Sequence, residues 1–201
     1  MFDLTGRTAL VTGATGGIGN AIAQALHAQG ATVAISGTRR EVLDALAAKL
    51  GERVHVLPCN LSDSAEVEAL VPAAEAAMGQ VDILVANAGI NVRKQPEDYS
   101  RAEWHQIINA NLTSLFLCAN AVLPEFRKAG GGKIITIGSV RGFLGHPGGY
   151  AAYGTSKGAV HLLTKQLATE WAKKRINVNA IAPSIFWTPL TQQVRDDPEL
   201  V

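Results

Sequence analysis

Cysteine is nearly missing from this chain: of 201 residues, only Cys59 and Cys118 carry thiols. One ends an apolar, strand-like run and the other lies inside an apolar helical run. Both read as buried free thiols, which makes a reducing compartment, the cytoplasm, the expected location. Excess charge of either sign is missing too, since 18 Lys and Arg stand against 17 Asp and Glu for a net +1. No basic block is present, which argues against nucleic-acid partners and against a polybasic membrane anchor. No apolar run reaches about 18 residues, so no membrane span is expected. The opening MFDLTGRTAL has no basic stretch followed by an apolar one and does not read as a secretion signal. Internal repeats, low-complexity tracts and linker-like stretches are also absent, leaving one domain over 1–201.

What is present suits a globular core, with 47% hydrophobic and 17% charged residues. Short runs rich in Val and Ile alternate with longer helical patterns. TALVT (8–12), TVAIS (32–36), VHVLP (54–58), DILVAN (82–87), KIITIGS (133–139) and NVNAIAP (177–183) read as six strands. They are apolar nearly throughout, as strands covered on both faces should be. Helical patterns fill about 17–29, 40–50, 64–78, 101–128 and 151–174. This rhythm predicts an α/β fold, a doubly wound, Rossmann-like parallel sheet with right-handed crossovers and helices on both faces. Ligands of such sheets sit beyond the carboxyl ends of the strands, where the strand order reverses.

TGATGGIG (12–19) follows the first strand and opens the first helix. It departs from the literal G-x-G-x-x-G pattern. Its physics is still that of a phosphate loop. Gly13 permits a sharp turn, Gly17 lets backbone approach a pyrophosphate, and Gly19 lets the helix pack closely on the sheet. The helix start supplies free N–H groups and positive dipole. A glycine-rich βα turn without a ligand is the plainer alternative. At the end of the second strand, a site for NAD usually carries Asp or Glu. Here AISGTRR offers Gly37, Thr38, Arg39 and Arg40. No carboxylate would repel a 2′-phosphate, and a guanidinium could bind one in bidentate fashion, which favours NADP(H) over NAD(H).

GYAAYGTSKGAV (149–160) holds two tyrosines and one lysine. On a helix, Tyr153 and Lys157 lie on one face about 6 Å apart along the axis, whereas Tyr150 is about 10 Å from Lys157. Tyr153 is therefore the candidate acid/base, and Tyr150 reads as a lining residue at or before the helix start. A phenol titrates near pH ~10. A neighbouring ammonium is expected to lower that value toward neutrality.

In order along the chain come TGATGGIG (12–19), NAG (87–89), NANLTSLF (109–116), IITIGSV (134–140) and YGTSK (153–157). With these motifs the chain resembles the short-chain dehydrogenase/reductase family over essentially all of its length. The resemblance implies a catalytic set. Ser139 would hydrogen-bond the substrate oxygen, Tyr153 would pass the proton, Lys157 would bind the nicotinamide ribose and assist the tyrosine, and Asn111 would hold a relay water. It also implies a nucleotide site. Gly13, Thr15, Gly17, Ile18 and Gly19 would form the phosphate loop, with Thr38 and Arg39 beside it. Asn60 and Leu61 would lie near the adenine, Asn87, Ala88 and Gly89 would flank the adenosine ribose, and Pro183 and Thr188 would meet the nicotinamide. No metal is implied. The helices over 101–128 and 151–174 would pair across a two-fold axis, giving a homodimer or homotetramer.

Four positions depart from the family pattern. Asn60 replaces the acid often found near the adenine, Ser184 replaces the glycine of a usual Pro-Gly, and Gly16 occupies a slot often basic in NADP users. The chain also stops at Val201, where the family usually continues with a further helix and a seventh strand, so WTPLTQQVRDDPELV reads as a substrate lid cut short.

The first half looks most like 3-oxoacyl-acyl-carrier-protein reductases. INVRKQPEDYSRAEWHQIINANL and EWAKKRINVNAIAPSIFWTPLTQQ look more like gluconate and deoxygluconate dehydrogenases. Lys174 matches one basic position expected of a carrier-protein reductase, and Gly130 falls where the other is expected. The resemblance thus implies an oxidoreductase for a small ketone or alcohol, most nearly a 3-oxoacyl thioester. A sugar acid or polyol is the alternative substrate, and a catalytically silent nucleotide-binding fragment is the alternative role.

Overall fold

The computed structural model describes residues 2–188 together with 191 and 192. Strands β1 (Thr8–Val11), β2 (Thr32–Gly37), β3 (Val54–Pro58), β4 (Ile83–Ala86), β5 (Gly132–Ile137) and β6 (Ile176–Ile181) form one sheet. Every pair is parallel, and the order is β3-β2-β1-β4-β5-β6. Helices α1 (Gly17–Ala28), α2 (Arg40–Leu50) and α3 (Ser64–Met78) make the crossovers of the first half. In the second half come α4 (Arg101–Ile108), α5 (Ser114–Lys128) and α6 (Ala151–Trp171). The order reverses between β1 and β4, so the crevice for a ligand opens beyond the carboxyl ends of those two strands.

Strand alternation divides the core into two layers. Leu10, Leu84, Ile134 and Val178 face α3, α5 and α6, where Val67, Leu70, Val122, Phe126, Leu167 and Trp171 close over them. Ala9, Val11, Val33, Ile35 and Val85 face the opposite way, toward Ala23, Leu43 and Leu46 of α1 and α2. The expectation that all six strands are covered on both faces fails at the sheet's end. Ile176 and Val178 are buried, but Asn177, Asn179 and Ile181 are exposed, because no described helix covers β6 on the α1/α2 side.

The single helix expected over 101–128 is also corrected. A π-helical turn at Asn109–Thr113 separates α4 from α5, and α6 gives way after Trp171 to a 3₁₀ turn at Ala172–Lys174. Taken together, Arg101–Lys128 is long and apolar enough by composition to cross a membrane, with a mean hydropathy of 1.4 in its richest window. That apolar content is used in the sheet core, where Cys118, Ala119, Val122 and Phe126 are buried. Both cysteines are free and buried, as expected.

Candidate active site

The glycine loop forms the floor of the crevice. Gly13 has φ of +66°, and a Cβ on it would stand 2.7 Å from the Ala88 Cα. A Cβ on Gly19 would collide with the Gly13 carbonyl, so α1 starts against the turn itself. Asn87 holds this arrangement from the other side of the reversal. Its Nδ2 donates to the carbonyls of Thr12 and Gly13 at 3.0 and 3.2 Å, and its N–H donates to the Thr12 hydroxyl at 3.1 Å. The start of α1 carries no side-chain cap and no acid in its first turn. Its N–H groups and positive dipole are left for an anion, whereas α3 and α4 are capped by Asp63 and Ser100. These are the features a dinucleotide pyrophosphate requires, and the loop fits one.

At the end of β2, Arg40 pairs with Asp44 at 2.9 Å, whereas Arg39 makes no ion pair among the described residues and reaches back to the Thr15 carbonyl at 2.5 Å. Of the two arginines, only Arg39 borders the cleft. Asn60 ends β3 with its side chain in a local turn, accepting from the Ser62 N–H at 3.1 Å. Its own N–H donates to Glu66 at 2.7 Å.

One cavity of about 420 Å³ gathers nearly every site residue expected from the sequence. Gly13, Thr15, Gly17, Ile18 and Gly19 line it with Thr38, Arg39, Asn60 and Leu61. Asn87, Ala88, Gly89, Ser139, Tyr153, Lys157, Pro183 and Thr188 complete the set. Its lining also includes Cys59, Ile90, Ser184 and Phe186, none of which the motifs marked. Of the segment read as a lid, residues 189–190 and 193–201 lie outside the described residues.

Tyr150, expected as a lining residue, does not border the cavity, and Asn111 is the other exception. It is buried in the π turn and does not line the cavity. Its Oδ1 accepts from the Ile90 N–H at 2.7 Å, and its Nδ2 donates to the Ile90 carbonyl at 3.0 Å and to the Ser156 hydroxyl at 2.9 Å. The side chain is a strut that fixes the segment after β4 against α6. A π turn also takes backbone carbonyls out of the regular helical ladder.

Ser139 follows β5, and its hydroxyl accepts from the Arg141 backbone N–H at 3.1 Å on the side of the cavity it shares with Tyr153. Lys157 is 4% exposed, and its Nζ donates to the Ile137 carbonyl at 2.7 Å. Burial pulls its pKa down from 10.5 to about 8. The ammonium stands 5.8 Å from the centre of the Tyr153 ring and is turned toward Ile137. The expectation that it lowers the phenol's pKa is therefore corrected. Burial raises the Tyr153 pKa, against the opposing pull of the Ser139 hydroxyl.

His161 is a residue the motifs missed. It lies one turn beyond Lys157, is buried, and its Nε2 is 2.9 Å from the Ser139 carbonyl. Phe143 stacks on it with centroids 4.1 Å apart. A Cβ on Gly138 or Gly142 would collide with this ring, so the two glycines flanking Ser139 make room for it. His161 thus clamps the backbone that presents the Ser139 hydroxyl.

With this geometry in view, the comparisons with known proteins are consistent. Residues 7–199 match the family described as short chain dehydrogenase. Nodulation protein G of Rhizobium sp. (strain N33) is 46% identical over 196 residues, 98% of this chain and 80% of that protein. The 3-oxoacyl-[acyl-carrier-protein] reductase FabG of Escherichia coli (strain K12) is 41% identical, over 97% of this chain and 80% of its own length. Gluconate 5-dehydrogenase of Gluconobacter oxydans (strain 621H) is 37% identical, over 99% of this chain and 78% of its own length. Among solved structures, the NADP active-site complex of Pseudomonas aeruginosa RhlG superposes with a TM-score of 0.91 at 36% identity, covering 99% of this chain and 80% of that one.

Proposed function

The chain belongs to the short-chain dehydrogenase/reductase family, and from that premise we propose that it moves a hydride between NADP(H) and a carbonyl or secondary alcohol, using Ser139, Tyr153 and Lys157. The observation that carries this reading is the convergence of those three residues on the cavity that the glycine loop also lines. The bound nicotinamide supplies or accepts the hydride. Ser139 holds the substrate oxygen. Tyr153, kept protonated at neutral pH by burial, donates its proton to that oxygen in the reducing direction. Lys157 presents a buried cation to the ribose, and Gly89 leaves room there, since a Cβ would stand 3.2 Å from the Lys157 Nζ.

The preference for NADP(H) is read from Arg39, which borders the cavity and makes no ion pair among the described residues. Loss of one charged hydrogen-bonding partner corresponds to roughly 1.5–3 kcal/mol, or about ten- to a hundredfold. Arg39→Ala is expected to erase most of the advantage of NADPH over NADH, read as cofactor affinities alongside the consumption of each cofactor with a ketone panel. Equal affinity for both cofactors in the parent would sink the assignment.

A 3-oxoacyl thioester is one substrate reading, resting on likeness to the carrier-protein reductase. An oxo sugar acid is the other, resting on likeness to gluconate 5-dehydrogenase and favoured by the two arginines against Tyr150. Of the two basic positions weighed for a carrier protein, Lys174 lies over the Trp171 ring and Gly130 sits in a left-handed turn at φ +77°. Phe116 on α5 and Leu162 on α6 are 45% and 66% exposed, which supports pairing with a second copy through these helices. Light scattering is expected to show at least a dimer at micromolar concentration, and a stable monomer would contradict the pairing.

A further inference from the structure

We propose that Arg93 and Arg141, gathered over Tyr150 beside the catalytic tyrosine, form a subsite for an oxyanion carried by the substrate a few bonds from its reacting carbonyl. The proposal rests on the dehydrogenase reading and names the class of substrate that this site takes.

Two guanidinium groups converge on one ring. The Arg93 Cζ lies 5.0 Å from the centre of Tyr150 and the Arg141 Cζ lies 5.3 Å from it. Like charges brought together repel, and the ring's π face offsets only part of that. No ion pair among the described residues involves either arginine, so no protein carboxylate there neutralises this charge. The neighbouring Lys94 differs in this respect, being neutralised by Glu103 at 2.5 Å. His146 meets the same ring edge-on at 5.2 Å. Burial lowers its pKa, and the charges of Arg141 and then Arg93 lower it further, as an uncompensated positive field should.

The cluster is also held in place. The Arg93 Nε donates to the Gly148 carbonyl at 2.9 Å, which fixes the fork and leaves its terminal nitrogens unused. Gly148 makes this possible, because a Cβ there would stand 2.7 Å from the Arg93 Nη2. Position relative to the chemistry follows from two contacts. The Tyr150 and Tyr153 rings are 6.2 Å apart, and the backbone N–H of Arg141 donates to the hydroxyl of Ser139, which ties the loop carrying this arginine to the site. A carbonyl held by Ser139 and Tyr153 would therefore place an oxyanion a few bonds away within reach of the arginine pair, and a planar fork matches carboxylate or phosphate oxygens in bidentate fashion.

An oxyanion a few bonds from the reacting carbonyl is the carboxylate of an oxo acid; the phosphate of a thioester carrier lies a whole pantetheine arm away, outside this reach. The test measures kcat and KM for 5-oxogluconate against the neutral ketose of the same skeleton, with acetoacetyl thioesters with and without a phosphate as the contrasting pair. 5-Oxogluconate is expected to exceed its neutral partner at least tenfold in kcat/KM, and the phosphate to confer no such gain. Arg93→Gln and Arg141→Gln are each expected to shrink the oxo-acid ratio about tenfold or more, chiefly through KM. Parity within the oxo-acid pair, a gain confined to the phosphorylated thioester, or a ratio unmoved by both substitutions overturns the subsite while leaving the dehydrogenase intact. If the parent reduces no ketone, the dehydrogenase reading fails instead. Calorimetric binding of 5-oxogluconate to the parent and to Arg141→Gln then decides the subsite, with absent or unchanged binding overturning it.

Discussion

Tyr153→Phe is expected to reduce turnover by at least about 10²–10⁴-fold, the usual worth of a positioned proton donor, while the fold and the affinity for NADPH persist. The substitution keeps the buried ring and deletes only its hydroxyl. That hydroxyl shares the cavity with Ser139, and its pKa is raised by burial, so the protonated form holds across the neutral range. A carbonyl oxygen gains negative charge as hydride arrives, and the phenol's proton is the group set to neutralise it. The loss therefore falls on the transition state and appears in kcat rather than in cofactor binding. Tyr150→Phe is the control. Its ring sits 6.2 Å from that of Tyr153 at the N-cap of α6, and the phenylalanine ring would still lie under the two arginines. Its cost should be far smaller. Steady-state turnover and cofactor titration of both variants check this. Equal damage from the two would mean the wrong tyrosine has been chosen, and full activity in Tyr153→Phe would remove the proton-donor role altogether.

The choice between these tyrosines shows how much of the site was legible before any coordinates. Spacing of four residues put Lys157 and Tyr153 on one helix face, and the structure keeps them there. The alternation of Val- and Ile-rich runs with helical patterns carried the sheet, and the glycine loop carried the start of α1. Spacing could not say where the lysine points. Its bond to the Ile137 carbonyl depends on β5 passing beside α6, a tertiary contact twenty residues removed in sequence. The π turn at Asn109–Thr113 was hidden for a different reason: one extra residue in a helix barely disturbs the apolar period. His161 looked like any histidine on an amphipathic helix until Gly138 and Gly142 were seen to leave space for its ring. Arg93 and Arg141 lie far apart in the chain, and only the loops after β4 and β5 bring them onto Tyr150. Local chemistry was readable, and what failed to show was every feature made by two distant segments meeting.

Lys157→Met is expected to have two large effects, one on activity and one on the pH dependence of stability. Removing a preorganised charged donor from a reaction site costs about 10²–10³ in rate, and NADPH affinity should fall as well, because the ammonium serves ribose and phenol together. The stability effect follows from burial. In the folded protein Lys157 titrates at about 8, against an ordinary 10.5. Between those values the unfolded chain binds the proton and the folded one does not, so this group makes folding more favourable as pH rises from about 8 toward 10.5. A shift of that size corresponds to roughly 3 kcal/mol at its limit. Cys59 and Cys118 act in the opposite sense, since burial pushes their thiols up to about 11 and about 12, and their stabilisation is lost once the unfolded thiols ionise near 9. The contribution of Lys157 must therefore be read as a difference between parent and variant. Urea midpoints at about pH 7.5 and 10 should show the parent gaining stability relative to Lys157→Met as pH rises. Parallel behaviour of the two proteins would mean that the lysine is hydrated in solution, and the case for a buried cation at the ribose would fall with it.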